Sequence, residues 1–350
     1  MLRMLTKACR ASTEALVNIR NIYMMMNRVD EFFTYVKKLP YTVKLEEGEK
    51  DSISYLAIEN RYMEGDCEAA VKGFEQYLQD FPQGYFITPA WFYLGECAYR
   101  QGQDSIAEQA YAKVAALPAC EFTEKAVQRA ASLSYGRGDY GTALRFYKQM
   151  VALQNPSLEN EALMGRMRCF YRLGQDKYTE EAAISYLRRD GMAPADRQEA
   201  MLYAARVAVK KGDVAIANQM YGDLLNAADP NLQAEARYYM IERRVKEGDY
   251  NMAEQLIFDY IADAPAEEYY LAKVYMLWAD IYEHKGNVLQ AKQTLQSIID
   301  HYEGEDLVTV ARQKYAAIEA VEQADRELEE RERAERYRYA EEEEIVIPEM

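Results

Sequence analysis

In residues 135–144, "YGRGDYGTAL", Gly136, Gly138 and Gly141 spell G-x-G-x-x-G. That pattern cradles a pyrophosphate when a buried strand leads into it and a helix N-terminus follows. Overlapping it, Arg137-Gly138-Asp139 spells the tripeptide that some cell adhesion receptors recognise. His284 and His301 are the only histidines, and neither belongs to an H-E-x-x-H or comparable ligand set. The chain has no G-x-S-x-G elbow and no phosphate loop ending in Gly-Lys-Ser/Thr. Asp and Glu number 58 among 350 residues, so carboxylate pairs fall on every helix face by chance and identify no acid–base site. The expectation is no catalytic residue, no metal site, no cofactor and no enzyme. Cys9, Cys67, Cys97, Cys120 and Cys169 are odd in number, widely spaced and without a C-x-x-C pair. They read as small buried thiols rather than as a disulfide framework or a zinc site.

Composition narrows the partners. Lys and Arg total 42 against 58 acids, a net charge of -16, which repels nucleic-acid backbones unless a local basic patch intervenes. No run of 18 apolar residues is present, so no transmembrane segment is expected. The opening "MLRMLTKACRASTEALVNIR" has no continuous apolar stretch of the kind a secretory signal needs. With 49% hydrophobic residues, 30 Tyr and 16 Met but only 17 Gly and 9 Pro, the chain favours long helices over turn-rich β-structure.

The glycines that looked like chemistry belong to a longer pattern. Gly65, Gly102, Gly138, Gly174, Gly212, Gly248 and Gly286 recur at spacings of 37, 36, 36, 38, 36 and 38. Five residues after six of them come Ala70, Ala107, Ala143, Ala217, Ala253 and Ala291. Four residues further stand Phe74, Tyr111, Tyr147, Tyr221, Ile257 and Leu295. Pro82, Pro118, Pro156, Pro230 and Pro265 close several of the units. A glycine just past a helix takes the left-handed conformation that ends it, and a small alanine lets two helices approach closely. The large residue fills the groove between them, and proline stops the second helix. The unit after Gly174, "QDKYTEEAAISYL", reads as irregular, with extra residues before its alanines.

This repeat resembles the tetratricopeptide repeat (TPR), stretched by two to four residues. In "AWFYLGECAYRQGQDSIAEQAYAKV", Trp91, Leu94, Gly95, Gly102, Ala107 and Tyr111 occupy signature positions 4, 7, 8, 15, 20 and 24. The resemblance implies an all-α fold, a right-handed TPR-type α-solenoid of antiparallel helix pairs. Residues 1–50 read as a degenerate N-terminal helical pair plus connector, with 41–50 the connector and Met24–Met26 as core filler or, alternatively, an exposed cut edge. Residues 51–304 read as seven TPR-like repeats. Residues 305–324 read as a capping helix with Leu307, Ala311, Ile318 and Val321 on one face. Residues 325–350 read as a charged, solvated helix and acidic tail with i,i+4 pairs Glu327–Arg331, Glu329–Arg333 and Glu332–Arg336.

The resemblance also implies a site. In TPR solenoids positions 5, 9, 12 and 13 of the first helix of each unit face the concave groove. Here those positions place a tyrosine ladder with Tyr55, Tyr62, Phe92, Tyr99, Tyr135 and Tyr171 in the first four repeats. They place a basic cluster, Arg168, Arg172, Arg206, Lys210 and Lys246, in repeats four to six. Tyrosines offer large amphipathic contact area and arginines bind carboxylates in bidentate fashion. The function expected is a protein–protein interaction scaffold that holds a segment combining an aromatic or proline-rich stretch with an acidic one. The competing expectation is that the tyrosines pack internally and the cations pair with acids of neighbouring helices. A chaperone-tail clamp is not expected, because no unit carries its Lys at position 5 with Asn at position 9. The wording of the first third resembles the C-terminal part of long bacterial multi-TPR proteins, similar in style to envelope proteins of the Tol–Pal and outer-membrane assembly systems. That resemblance implies a truncated or split product of an exported parent, or else a cytoplasmic relative. It also suggests an alternative function, a structural subunit that oligomerises within an envelope assembly.

Overall fold

The computed structural model describes residues 2–26, 28–39, 45–263 and 267–344, with side chains from residue 14 to residue 338. Every regular element among them is a helix. The first are α1 (Leu2–Met25), α2 (Val29–Lys37), α3 (Glu47–Met63), α4 (Cys67–Asp80), α5 (Ile87–Arg100) and α6 (Asp104–Ala116). Next come α7 (Thr123–Gly136), α8 (Tyr140–Ala152), α9 (Pro156–Arg172), α10 (Asp176–Leu187), α11 (Pro194–Lys211) and α12 (Val214–Leu224). The last are α13 (Pro230–Lys246), α14 (Tyr250–Ala262), α15 (Glu268–His284), α16 (Val288–His301) and α17 (Glu305–Glu344). The chain divides into two compact units, Met1–Ala182 and Ala183–Met350.

The Gly-Asp turn explains the period. All seven repeat glycines have φ between 66° and 84°, where an L side chain is strained. At the opening stretch the Gly138 N–H donates to the Tyr135 carbonyl and the Asp139 N–H to the Ser134 carbonyl, both at 3.0 Å. This pair of bonds closes α7 as a Schellman motif. Asp139 then starts α8, its carboxylate accepting the Thr142 N–H at 3.0 Å. Asp66, Asp213 and Asp249 cap α4, α12 and α14 in the same way. One Gly-Asp pair therefore ends one helix and begins the next. No strand leads into Gly136, so the dinucleotide reading of these glycines has no support in the fold.

Packing follows the same period. Ala70, Ala107, Ala143, Ala217, Ala253 and Ala291 are fully buried, as are Phe74, Tyr111, Ile257 and Leu295 one turn on. The local cores follow one another along the chain within each unit. In the first unit Phe74 and Leu94 centre one, Tyr111 and Val114 the next, and Val127, Tyr147 and Met150 pack a third. In the second, Tyr221 and Leu224, then Ile257 and Ile281, then Leu295 and Ala311 do the same.

Several local expectations change. The fourth repeat has no extra residues before its second helix: α10 starts two residues after Gly174, and Thr179 fills the alanine site, fully buried. The Thr179 hydroxyl is satisfied by the Gln175 carbonyl at 3.1 Å. The helix α3 starts at Glu47, inside the stretch read as connector; residues 40–44 lie outside the described residues. Of the three N-terminal methionines only Met24 packs against Phe32 and Val36, whereas Met25 and Met26 are exposed. Residues 305–344 form one continuous helix. Its Ala311 and Ile318 are buried, but Val321 points to solvent, and Glu319 and Glu322 hold Lys292 at 3.4 and 3.0 Å. Of the charged pairs read on it, Glu332–Arg336 closes, at 3.6 Å.

The cysteine reading also changes. Cys67 and Cys97 form a disulfide, with Cα atoms 5.0 Å apart. It ties the start of α4 to α5 of the next repeat. Cys169 is a buried free thiol, pushed up to about 12 by desolvation, and Cys120 is free and exposed. The side chain of Cys9 lies outside the described residues.

Candidate protein-binding faces

In the first unit the expected ladder divides. Tyr55 is buried, its ring stacked on Phe86 at 4.4 Å and its hydroxyl donating to Glu59 at 2.8 Å. Phe92 is buried too, stacked on Phe122 at 4.6 Å. These two rings pack between helices. Tyr62 is half-buried, 4.4 Å from the Tyr93 ring, and Tyr99 is 38% exposed. Tyr135 is half-buried against Tyr140 at 5.2 Å, with open space beside it where Gly136 carries no side chain. Tyr171 is half-buried as well.

Two cations outside the expected basic cluster lie on this ladder, Arg100 at position 13 of the second repeat and Arg129 at position 6 of the third. The Arg100 guanidinium sits 5.4 Å from the Tyr62 ring and donates to its hydroxyl at 3.4 Å. The Arg129 guanidinium sits 4.3 Å from the Tyr99 ring. Among the described residues neither has a carboxylate within ion-pair distance. A guanidinium stacked on a tyrosine keeps its N–H edges free for an acceptor. Arg168 and Arg172 also belong to this unit, Arg172 lying 6.0 Å from the Tyr140 ring.

The second unit holds the other three expected cations. Arg206 on α11 forks onto Glu235 of α13 at 2.8 and 2.6 Å. Tyr221 and Tyr270 add hydroxyl donors to the same carboxylate at 2.9 and 2.6 Å. Burial pushes the Glu235 carboxyl up, but the bonds from Arg206, Tyr270 and Tyr221 overcome that and hold it below the ordinary glutamate range. Burial, reinforced by the carboxylate, raises the Tyr221 and Tyr270 hydroxyls. Lys246 pairs with Glu242 at 2.7 Å, and Glu242 also accepts from Tyr238 at 2.9 Å. Lys210 is exposed.

Two junctions between neighbouring repeats share a contact. Position 9 of one repeat meets position 2 of the next where Glu96 binds Lys125 at 2.8 Å and, with the charges reversed, where Arg206 binds Glu235. Position 2 carries Lys125, Glu161, Glu199, Glu235 and Lys273 in repeats three to seven. Sequence reasoning missed these residues because it scanned positions 5, 9, 12 and 13. The signal was present as an unbroken run of charges at position 2. Among the described residues no cluster of His, Cys, Asp and Glu could hold a metal ion.

The tetratricopeptide-repeat family profile matches residues 89–117 and 273–304, one segment in each unit. The chain carries tetratricopeptide repeats. Such repeats are protein-interaction modules, typically without catalytic activity. Among solved structures, this TPR chain is similar to the Naa15/Naa10 complex bound to HypK-THB, 14% identical with TM-score 0.50. That match covers 87% of this chain and 50% of that one, so the TPR chain spans half of its length. A tetratricopeptide repeat protein from Parabacteroides merdae is 17% identical over 77% of this chain and 98% of that one, TM-score 0.40. Pseudomonas aeruginosa pilF is 16% identical over 66% and 97%, TM-score 0.46. No curated protein matches the sequence. No described helix of this TPR protein is long and apolar enough to cross a membrane.

Proposed function

We propose that the chain is a non-enzymatic scaffold that holds a segment of a partner protein against the first helices of its repeats. The observation that carries this reading is the pair of cation–tyrosine stacks in the first unit, Arg100 on Tyr62 and Arg129 on Tyr99. They combine accessible aromatic surface with guanidinium edges that no acid of the described chain takes up, in a protein of net charge -16. Tyr135 and Tyr171 extend the aromatic part of the face, and Arg168 and Arg172 extend the basic part. Tyr55 and Phe92 support it from behind. In the second unit Lys210 is exposed, and Arg206 and Lys246 orient the first helices of the repeats through Glu235 and Glu242. The partner segment is acidic with aromatic residues, because carboxylates match the free guanidinium edges and rings match the tyrosines.

Affinity capture on the full chain, with Tyr62→Ala/Tyr99→Ala as comparison, tests the reading. Loss of the captured protein at unchanged helicity supports it, and capture of the same protein in the same yield contradicts it.

A second reading rests on α17. Beyond Glu322 the described side chains of this helix are exposed, Leu328 and Tyr337 among them. We infer that this arm serves assembly of copies of the chain. Light scattering over a concentration series, with and without residues 325–350, tests it; a mass that ignores the deletion contradicts it.

A further inference from the structure

Within the second unit one cation stands apart from the pairs described above. Lys273 occupies position 2 of the seventh repeat, where Lys125 and Glu235 engage position 9 of the preceding repeat. Its own position-9 neighbour, Glu242, is already held by Tyr238 at 2.9 Å and Lys246 at 2.7 Å. The second nearby acid, Glu235, is filled by Arg206, Tyr221 and Tyr270. Asp280, two turns further along α15, is held by Lys314. Lys273 therefore has no carboxylate within ion-pair distance among the described residues. Its ammonium lies instead over ring faces, 4.0 Å from the centre of Tyr238, 5.5 Å from Tyr269 and 5.8 Å from Tyr270.

The local charges do not balance. Arg206, Lys246 and Lys273 face Glu235 and Glu242, which leaves one positive charge uncompensated in a half-buried cage. Burial lowers the Lys273 amine below the ordinary lysine range; the nearby Glu242 and Glu235 only partly offset this, and Lys246 adds to it. A cation in this setting gains more from an incoming anion than a hydrated surface lysine does, because part of its desolvation is already met. The three rings restrict its reach by enclosing it from different directions, Tyr270 standing at 81° to Tyr269 and 41° to Tyr238.

We propose that Lys273, caged by Tyr238, Tyr269 and Tyr270, is a subsite for an aspartate or glutamate side chain of the bound partner segment. This rests on the scaffold reading and adds to it a defined acidic anchor in the second unit, separate from the Arg100 and Arg129 stacks of the first. The anchor is a single caged ammonium, so it selects one acidic side chain and requires no chain terminus.

The test uses the full chain and a fluorescein-labelled hexaglutamate peptide, with hexaglutamine as control. Hexaglutamate slows acetic anhydride labelling of Lys273, read by mass spectrometry, whereas hexaglutamine does not. Lys273→Gln weakens hexaglutamate binding about tenfold, the loss of one charge-assisted contact, while Lys273→Arg keeps most of it. Equal affinity of Lys273→Gln and the unaltered chain, or unchanged labelling of Lys273, overturns the subsite and leaves the Arg100–Arg129 face untouched. Absence of any hexaglutamate binding also overturns the subsite, whereas the scaffold reading stands or falls on capture of its own partner.

Discussion

Arg206 reaches one repeat along the chain and grips Glu235 with two parallel bonds, Nε to Oε1 at 2.8 Å and Nη2 to Oε2 at 2.6 Å. The carboxylate is 8% exposed and also accepts from two tyrosines. Removing one partner of such a pair strands a buried charge, so Arg206→Ala should cost about 3 kcal/mol at pH 7. The pH dependence has a definite sign. The folded carboxyl lies below its unfolded value, so the stability it contributes is present above roughly pH 4.3 and is lost as pH falls through the folded value. Urea midpoints of Arg206→Ala and the unaltered chain should therefore differ most at neutral pH and converge in acid. An equal gap at both ends contradicts the pairing.

Glycines outside the turns separate packing from conformation. A Cβ on Gly165 would enter the ring of the buried Tyr147, so Gly165→Ala should destabilise by about 1–3 kcal/mol. Gly222 lies inside α12 with open space around it, so Gly222→Ala should stabilise by about 0.5 kcal/mol. Thermal melts of the two variants should move in opposite directions.

The disulfide gives a third prediction. Cys67 and Cys97 lie 30 residues apart, and cross-linking a loop of that size stabilises by about 3–4 kcal/mol. Cys67→Ser/Cys97→Ser should lower the unfolding midpoint, and a reducing agent should lower that of the unaltered chain to match. Native alkylation should label Cys120 ahead of Cys169, whose thiol is buried and raised to about 12. Labelling of Cys67 and Cys97 without reductant would contradict the bond.

How much of this was legible follows from what a period can encode. The Gly-Asp turns, the buried alanines and the large residues one turn later are local requirements of each helix pair, so the sequence displays them directly. Exposure is not local. Tyr55 and Tyr62 look alike in sequence, but Phe86, which comes from the turn before the next repeat, buries the first and leaves the second open. Cys67 and Cys97 are distant along the chain, yet their separation of 30 residues is one repeat less about two helical turns, which stacking converts into contact. The same conversion brings Arg206 to Glu235 and Glu96 to Lys125 over 29 residues. Comparing residues 29 or 30 positions apart, one repeat less about two helical turns, would have found all three pairs.

The most direct test of the central claim is a titration of the captured partner segment against the unaltered chain and the Arg100→Glu/Arg129→Glu variant. Charge reversal at two free guanidiniums should weaken binding by about a hundredfold or more while circular dichroism stays unchanged. Equal affinity for both proteins would contradict the account.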